Sequence, residues 1–163
     1  MIEKKNGIIK FTYGSNDTFN DVGLLSAYMT KNLMGEKGSM MDEFTISDDE
    51  RQVYDVCVKQ ALPTIYEAMI KITSGVEEAF KATADSIEFN ILDNEAYNSN
   101  VLTIVDETLH TCLKYAILAE FYSVCLNAEL QRVALAKFAD SLAQLKQRLF
   151  QLKKKAVAPL LYR

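Results

Sequence analysis

Histidine is almost missing from this 163-residue chain, which has only His110, and tryptophan is missing altogether. One imidazole excludes the metalloprotease helix with two histidines four residues apart, and it leaves any serine or cysteine nucleophile a single choice of base. Cysteine is scarce and odd in number: Cys57, Cys112 and Cys125 lie far apart inside apolar helical patterns. That spacing argues against a disulfide framework or a thiolate zinc site, and the three read as small core or near-core residues. Only two prolines interrupt the chain, and 49% of it is hydrophobic, a balance that argues against intrinsic disorder. Apolar runs stay far short of the roughly 20 residues that span a bilayer, so no membrane partner is expected. The start MIEKKNG leads into polar sequence instead of a signal-peptide core, which implies synthesis and residence in a cytosol-like compartment.

Acidic residues stop at Asp140. Residues 1–145 carry 22 acidic and 12 basic side chains, a net charge of −10. Residues 146–163 carry Lys146, Arg148, Lys153, Lys154, Lys155 and Arg163 with no acid, a charge of +6. The length suits one domain, and the pattern is an acidic body with a basic end.

The periodicity predicts a mainly α protein: a bundle of about four helices with a small β-hairpin or extended segments and a C-terminal tail. Residues 1–17 form an extended arm or one strand, closing in the turn composition Gly14-Ser15-Asn16-Asp17. Residues 18–152 form the bundle, with an extended insertion near 82–97, and 153–163 the basic tail. Thr18 or Asn20 caps a first helix that runs to about Met34, with Val22, Leu25, Met29 and Leu33 on one face and Gly35 and Gly38 as breakers. GEKGSMMDEFTI is a connection, and Ser47-Asp48-Asp49-Glu50 is a capping box with acids at the favourable end of the helix dipole. The next helix places Val53, Val56, Cys57, Ala61, Ile65, Met69 and Ile72 at three-to-four spacing. Pro63 should kink or split it near Leu62, and Gly75 ends it.

Ser86 to Ile91 then alternates with period two, a strand that could pair with the N-terminal one. A lone hairpin is marginal in water, so such a sheet must pack on helices or on a neighbouring subunit. A long helix follows from about Asn100 to Leu126, with Leu102, Val105, Leu109, Cys112, Ala116 and Ala119 on its stripe and Leu113, Ile117, Phe121 and Val124 widening it. After a break at Asn127-Ala128, a last helix carries Leu130, Ala134, Phe138, Leu142, Leu145, Leu149 and Leu152.

The sharpest chemical candidate is DETLHTC, where Glu107 and His110 stand one helical turn apart in a Glu-x-x-His pattern. Ferritin-like di-iron sites use two such motifs plus two more glutamates facing one core, and the single histidine cannot complete that set. Glu107 is therefore expected on the exposed side and His110 at a boundary, with a metal-dependent helical enzyme the least favoured reading. Gly35-x-x-Gly38 lacks the Lys-Ser/Thr of a phosphate loop, and no serine sits in a nucleophile elbow. The paired acids Asp48-Asp49 and Glu77-Glu78 fit capping or a solvated face. No cofactor and no catalysis are expected.

The tail KKKAVAPLLYR is the remaining feature. Lys153, Lys154 and Lys155 complement the negative pole of the last helix, and Pro159 favours an extended chain before Leu160, Leu161, Tyr162 and Arg163. Extended, the eleven residues reach roughly 35 Å. A free Leu-Leu-Tyr end would be an unusual exposed cluster, so the segment is expected to dock on a partner, in a groove or at a sheet edge. DNA contact, if made, would be confined to this tail and would weaken with a log-log salt slope of about −3 to −4.

The order of pieces carries a resemblance: DDERQVYDVCVKQALPTIYEAM, an extended SIEFNIL, the long LTIVDETLHTCLKYAILAEFYSV and a final LAQLKQRLFQLKKKAVAP. Over residues 45–163 it resembles the small helical head-to-tail connector proteins, also called adaptor or head-completion proteins, of tailed bacteriophages. The resemblance implies a virion protein of the neck, made in the host bacterial cytoplasm. It implies a homo-oligomeric, dodecameric ring that touches the portal protein and the next neck or tail protein and lets genomic DNA through without sequence-specific binding. A cytoplasmic helical protein-binding module, regulator or chaperone-like, is the alternative.

Overall fold

The structure is a computed structural model that describes residues 1–31, 34–35, 38–39, 44–73, 76, 78–93 and 97–153. Its first element is a hairpin, where one strand or an arm was expected. Strands β1 (Ile2–Lys5) and β2 (Ile8–Gly14) pair antiparallel, with Lys5 opposite Ile8. The two linking residues, Asn6 and Gly7, take φ of 53° and 75°. Asn-Gly is the pair that a two-residue hairpin turn selects, because both central residues must be left-handed to match the strand twist.

Helix α1 (Ser15–Thr30) starts directly after β2, three residues before the expected cap. Its core stripe also differs from the apolar face read from sequence. The buried residues are Ser15, Thr18, Phe19, Val22, Ser26 and Thr30, while Leu25 and Met29 are only half-buried. Hydrogen bonds explain the inversion. Ser26 Oγ donates to the Gly23 carbonyl at 2.7 Å and accepts from the Ile46 N–H at 3.0 Å. Thr30 Oγ1 donates to the Ser26 carbonyl at 2.9 Å and lies 3.1 Å from Thr45 Oγ1. The Thr45–Ile46 stretch is thus strapped along α1, and a Cβ on Gly23 would sit 3.0 Å from the Ile46 carbonyl. Within the glycine-rich connection, β3 (Met34–Gly35) pairs with β4 (Gly38–Ser39); Leu33 lies outside the described residues.

The capping box forms where expected: the Ser47 N–H donates to Glu50 Oε2 at 2.9 Å and the Ser47 hydroxyl meets the same carboxylate. A 3₁₀ turn over Asp48–Glu50 leads into α2 (Arg51–Ile70), which runs through Pro63 without being split. Pro63 is exposed, so its ring and missing N–H fall on the solvent side. Val56, expected on the core stripe, is exposed. Strands β5 (Phe80–Ala82) and β6 (Ser86–Leu92) complete an antiparallel sheet in the order β1-β2-β6-β5, so the expected pairing of the two extended segments holds within a four-stranded sheet. Its inner face is Ile9, Phe11 and Tyr13 opposite Ile91, Phe89 and Ile87, all buried against the helices. Lys10 and Glu88 form a 3.0 Å ion pair on the outer face.

Helices α3 (Ser99–Val124) and α4 (Ala128–Lys153) form an antiparallel pair of about 40 Å and make the most extensive contact between elements. Asn98 caps α3 by accepting from the Asn100 N–H at 3.0 Å, and Asn127 does the same for α4 through Leu130 N–H at 3.0 Å. The ends meet again where the Asn98 N–H donates to the Leu152 carbonyl at 3.1 Å. The expected stripes of both helices are buried or half-buried, except Val124. The three cysteines are free; Cys57 and Cys112 are buried and Cys125 is half-buried. Among the described residues no helix is long and apolar enough to cross a membrane.

Tyr122 is fully buried and its hydroxyl has no hydrogen-bond partner. An unpaired hydroxyl in an apolar interior opposes folding by about 1–3 kcal/mol, whereas the ring favours it. Tyr122→Phe should therefore raise stability by about 1 kcal/mol in urea denaturation. A loss instead would mean that a buried water holds the hydroxyl.

Candidate functional site

The Glu-x-x-His stretch lies on α3 as its spacing requires, and its two residues part company. Glu107 is exposed. His110 is half-buried and stacks on Tyr13 of β2, with ring centroids 4.7 Å apart and planes within 7°. Among the described residues, no group of three or more His, Cys, Asp or Glu side chains is placed to hold a metal ion.

A cavity of about 280 Å³ does open at this point. Its walls come from three elements: Thr12, Tyr13 and Gly14 at the end of β2, Asp17 and Thr18 at the start of α1, and Asp106, Glu107 and His110 on α3. The immediate passage from strand to helix at Gly14-Ser15 brings them together. Gly14 leaves room for Asp17, since a Cβ there would fall 2.6 Å from Asp17 Oδ2. Tyr13 reaches across and donates its hydroxyl to the Asp106 carbonyl at 3.0 Å. Met1 closes one edge: its ammonium donates to the Thr12 carbonyl at 2.8 Å and lies 3.6 Å from Asp106 Oδ2.

Burial pushes the Tyr13 phenol far above its usual range, helped by the Asp106 carboxylate, so Tyr13 stays neutral and acts as a donor. Burial also lowers the His110 pKa, and Lys114 lowers it further, while Asp21 and Asp106 pull it back up. Asp21 lies 3.9 Å from His110 Nε2 but 3.3 Å from Lys114 Nζ, so its charge is shared. The native state thus prefers neutral imidazole. Its stabilising contribution is complete above the unfolded value of 6.5 and is lost as pH falls below it toward the lower native pKa. The urea midpoint should accordingly drop between pH 7.5 and 5.5, and His110→Phe, which keeps the stack, should shrink that drop. An unchanged drop in the variant would assign it to other groups.

The second unusual spot is the α3–α4 turn. Leu126 takes φ of 54°, its N–H donates to the Ser123 carbonyl at 3.2 Å, and the Asn127 N–H donates to the Tyr122 carbonyl at 3.1 Å. This is the Schellman end of a helix, in which the left-handed position normally belongs to glycine. Leucine here is 91% exposed, beside Val124 at 54%.

Of the tail residues expected to dock, Lys153 is the last residue of α4. Lys154, Lys155, Pro159, Leu160, Leu161, Tyr162 and Arg163 lie outside the described residues. Sequence reasoning missed Tyr13, Thr18, Asp106 and Leu126. Only Leu126 left a local trace, a helix end without the expected glycine; the other three meet through tertiary packing alone. Comparison with known protein families, curated proteins and solved structures found no match.

Proposed function

We propose that this chain is a structural assembly protein: a neck connector of a tailed phage, forming a ring between portal and tail around the DNA channel. Leu126 carries the reading. A leucine held in the left-handed region opposes folding by about 1–2 kcal/mol, and at 91% exposure it regains nothing inside its own chain. In this reading its side chain fills an apolar socket of another subunit or protein. The charge of −10 over residues 1–145 suits a wall that DNA passes without adhering. Lys153, Lys154, Lys155, Pro159, Leu160, Leu161, Tyr162 and Arg163 serve as a second, basic docking arm in this reading.

Sedimentation velocity and negative-stain microscopy of the purified chain test it. Rings are expected, formed by the chain alone or on its portal partner, and both Leu126→Gly and truncation after Lys153 should reduce them. A chain that stays monomeric and is absent from purified virions would overturn the neck assignment. A monomer that still captures a partner through Leu126 would point to the regulator-like binding module instead.

A further inference from the structure

The tip of the β1–β2 hairpin brings together the parts of a self-modifying site. Asn6-Gly7 is the chain's one Asn-Gly pair, and both residues are exposed. Glycine has no Cβ to crowd its main-chain nitrogen, so that nitrogen can reach the side-chain carbonyl of the asparagine before it. Space is open around Gly7, where a Cβ would meet nothing within 4 Å. Its carbonyl accepts from the Asp93 N–H at 2.7 Å, but among the described residues its own N–H has no main-chain acceptor. The nitrogen is thus free, at a loop tip where the backbone opens most easily.

The other described asparagines are restrained. Asn16 and Asn20 lie within α1 and Asn100 within α3, where the helix fixes the backbone around them. Asn90 is buried in β6 and donates to the Glu78 carbonyl at 2.7 Å. Asn98 and Asn127 use their side-chain oxygens to cap α3 and α4. Each of these six is also followed by a residue that carries a Cβ.

We propose that Asn6-Gly7 is a site of spontaneous covalent modification, in which deamidation of Asn6 yields isoaspartate and releases strand β1 from the sheet. The Gly7 nitrogen gives its proton to hydroxide and attacks Asn6 Cγ; the new N–C bond replaces the Cγ–Nδ2 bond, and ammonia leaves with a proton taken from water. Water then opens the cyclic imide. Opening at Cγ leaves an ordinary main chain with aspartate at position 6, and Asp-Gly suits the same left-handed turn. Opening at the main-chain carbonyl gives isoaspartate, whose main chain runs through Cβ and Cγ and is longer by one atom. The two-residue loop sets the register that places Lys5 opposite Ile8, so a longer loop undoes it. Strand β1 has little to resist this, being four residues long and paired on one side only. The modification does not depend on the assembly reading, since it lies on the hairpin and not at the α3–α4 turn.

The test is to keep the full chain in warm, mildly alkaline buffer and follow it by peptide mapping with mass spectrometry. The mass should rise by the difference between water and ammonia, at Asn6 before any other asparagine, and two products should separate by chromatography. Asn6→Gly, which keeps a pair suited to the turn, should lose that mass gain. Hydrogen exchange on the separated products then reads the effect on β1. Lys5 and Ile8 flank the two-residue loop and the Thr12 N–H donates to the Met1 carbonyl at 2.8 Å, so the Glu3 and Lys5 amides point at β2. In the isoaspartate product these two amides should exchange about tenfold or more faster, with Leu109 on α3 unchanged, and in the aspartate product they should exchange as before. Asn6 still intact after other asparagines have converted would overturn the site. Isoaspartate without faster exchange at Glu3 and Lys5, or with Leu109 accelerated equally, would overturn the release of β1.

Discussion

Phe89→Ala should lower the stability of this protein by about 3–5 kcal/mol, a large part of the roughly 5–15 kcal/mol that holds a domain of this size. Phe89 is fully buried and pairs across the strands with Phe11 on one side and Phe80 on the other. It is the central contact between a sheet of short strands and the helices that cover it. Removing the ring loses its transfer free energy and leaves a cavity that Phe11, also fully buried, cannot fill without breaking the β2–β6 register. A melting temperature lower by about 10–15 °C is expected, with loss of near-ultraviolet dichroism at lower urea. A change below about 1 kcal/mol would mean that the sheet is not part of the cooperative unit.

Leu126→Gly should act in opposite directions on two measurements. In the isolated chain, glycine relieves about 1–2 kcal/mol of left-handed strain, while its freer unfolded chain gives back about 0.4–1 kcal/mol. The net expectation is a gain of about 0.5–1 kcal/mol in urea denaturation, since a side chain 91% exposed takes little packing with it. In the proposed assembly, the same change removes the apolar knob and should weaken association tenfold or more, if Leu126 is one of the few residues that dominate the contact. A merely structural leucine would lose stability and leave association untouched. Stability and assembly falling together would point to a distorted turn instead of a lost contact.

Much of the fold was legible locally. The capping box at Ser47–Glu50, the alternation of Ser86–Ile91 and the long stripes of the last two helices depend on near neighbours, and each stands where its pattern put it. The Asn6-Gly7 turn carries a local signal as well, but the charged residues around it mask a short edge strand. Other readings failed for lack of context. The stripe Val22, Leu25, Met29 on α1 is sound as periodicity, but Ser26 and Thr30 turn inward to hold Thr45 and Ile46, and a hydrogen bond to a distant segment leaves no periodic trace. Val56 and Val124 have the right spacing for the core and lie past the edge of what the neighbouring helices cover.

The candidate site divides the same way. By itself the sequence determined that His110 is the only imidazole, that it shares a helix turn with Glu107, and that the chain builds a helical bundle with a small sheet; these follow from composition and from the 3.6- and 2-residue repeats. Tertiary structure alone decided that Tyr13 stacks on His110, that Thr18 and Asp106 come together beside one cavity, and that Leu126 stands strained in water. The physical reason is range: backbone periodicity is set by residues within a turn, whereas burial and hydrogen-bond satisfaction are set by whatever the folded chain brings alongside.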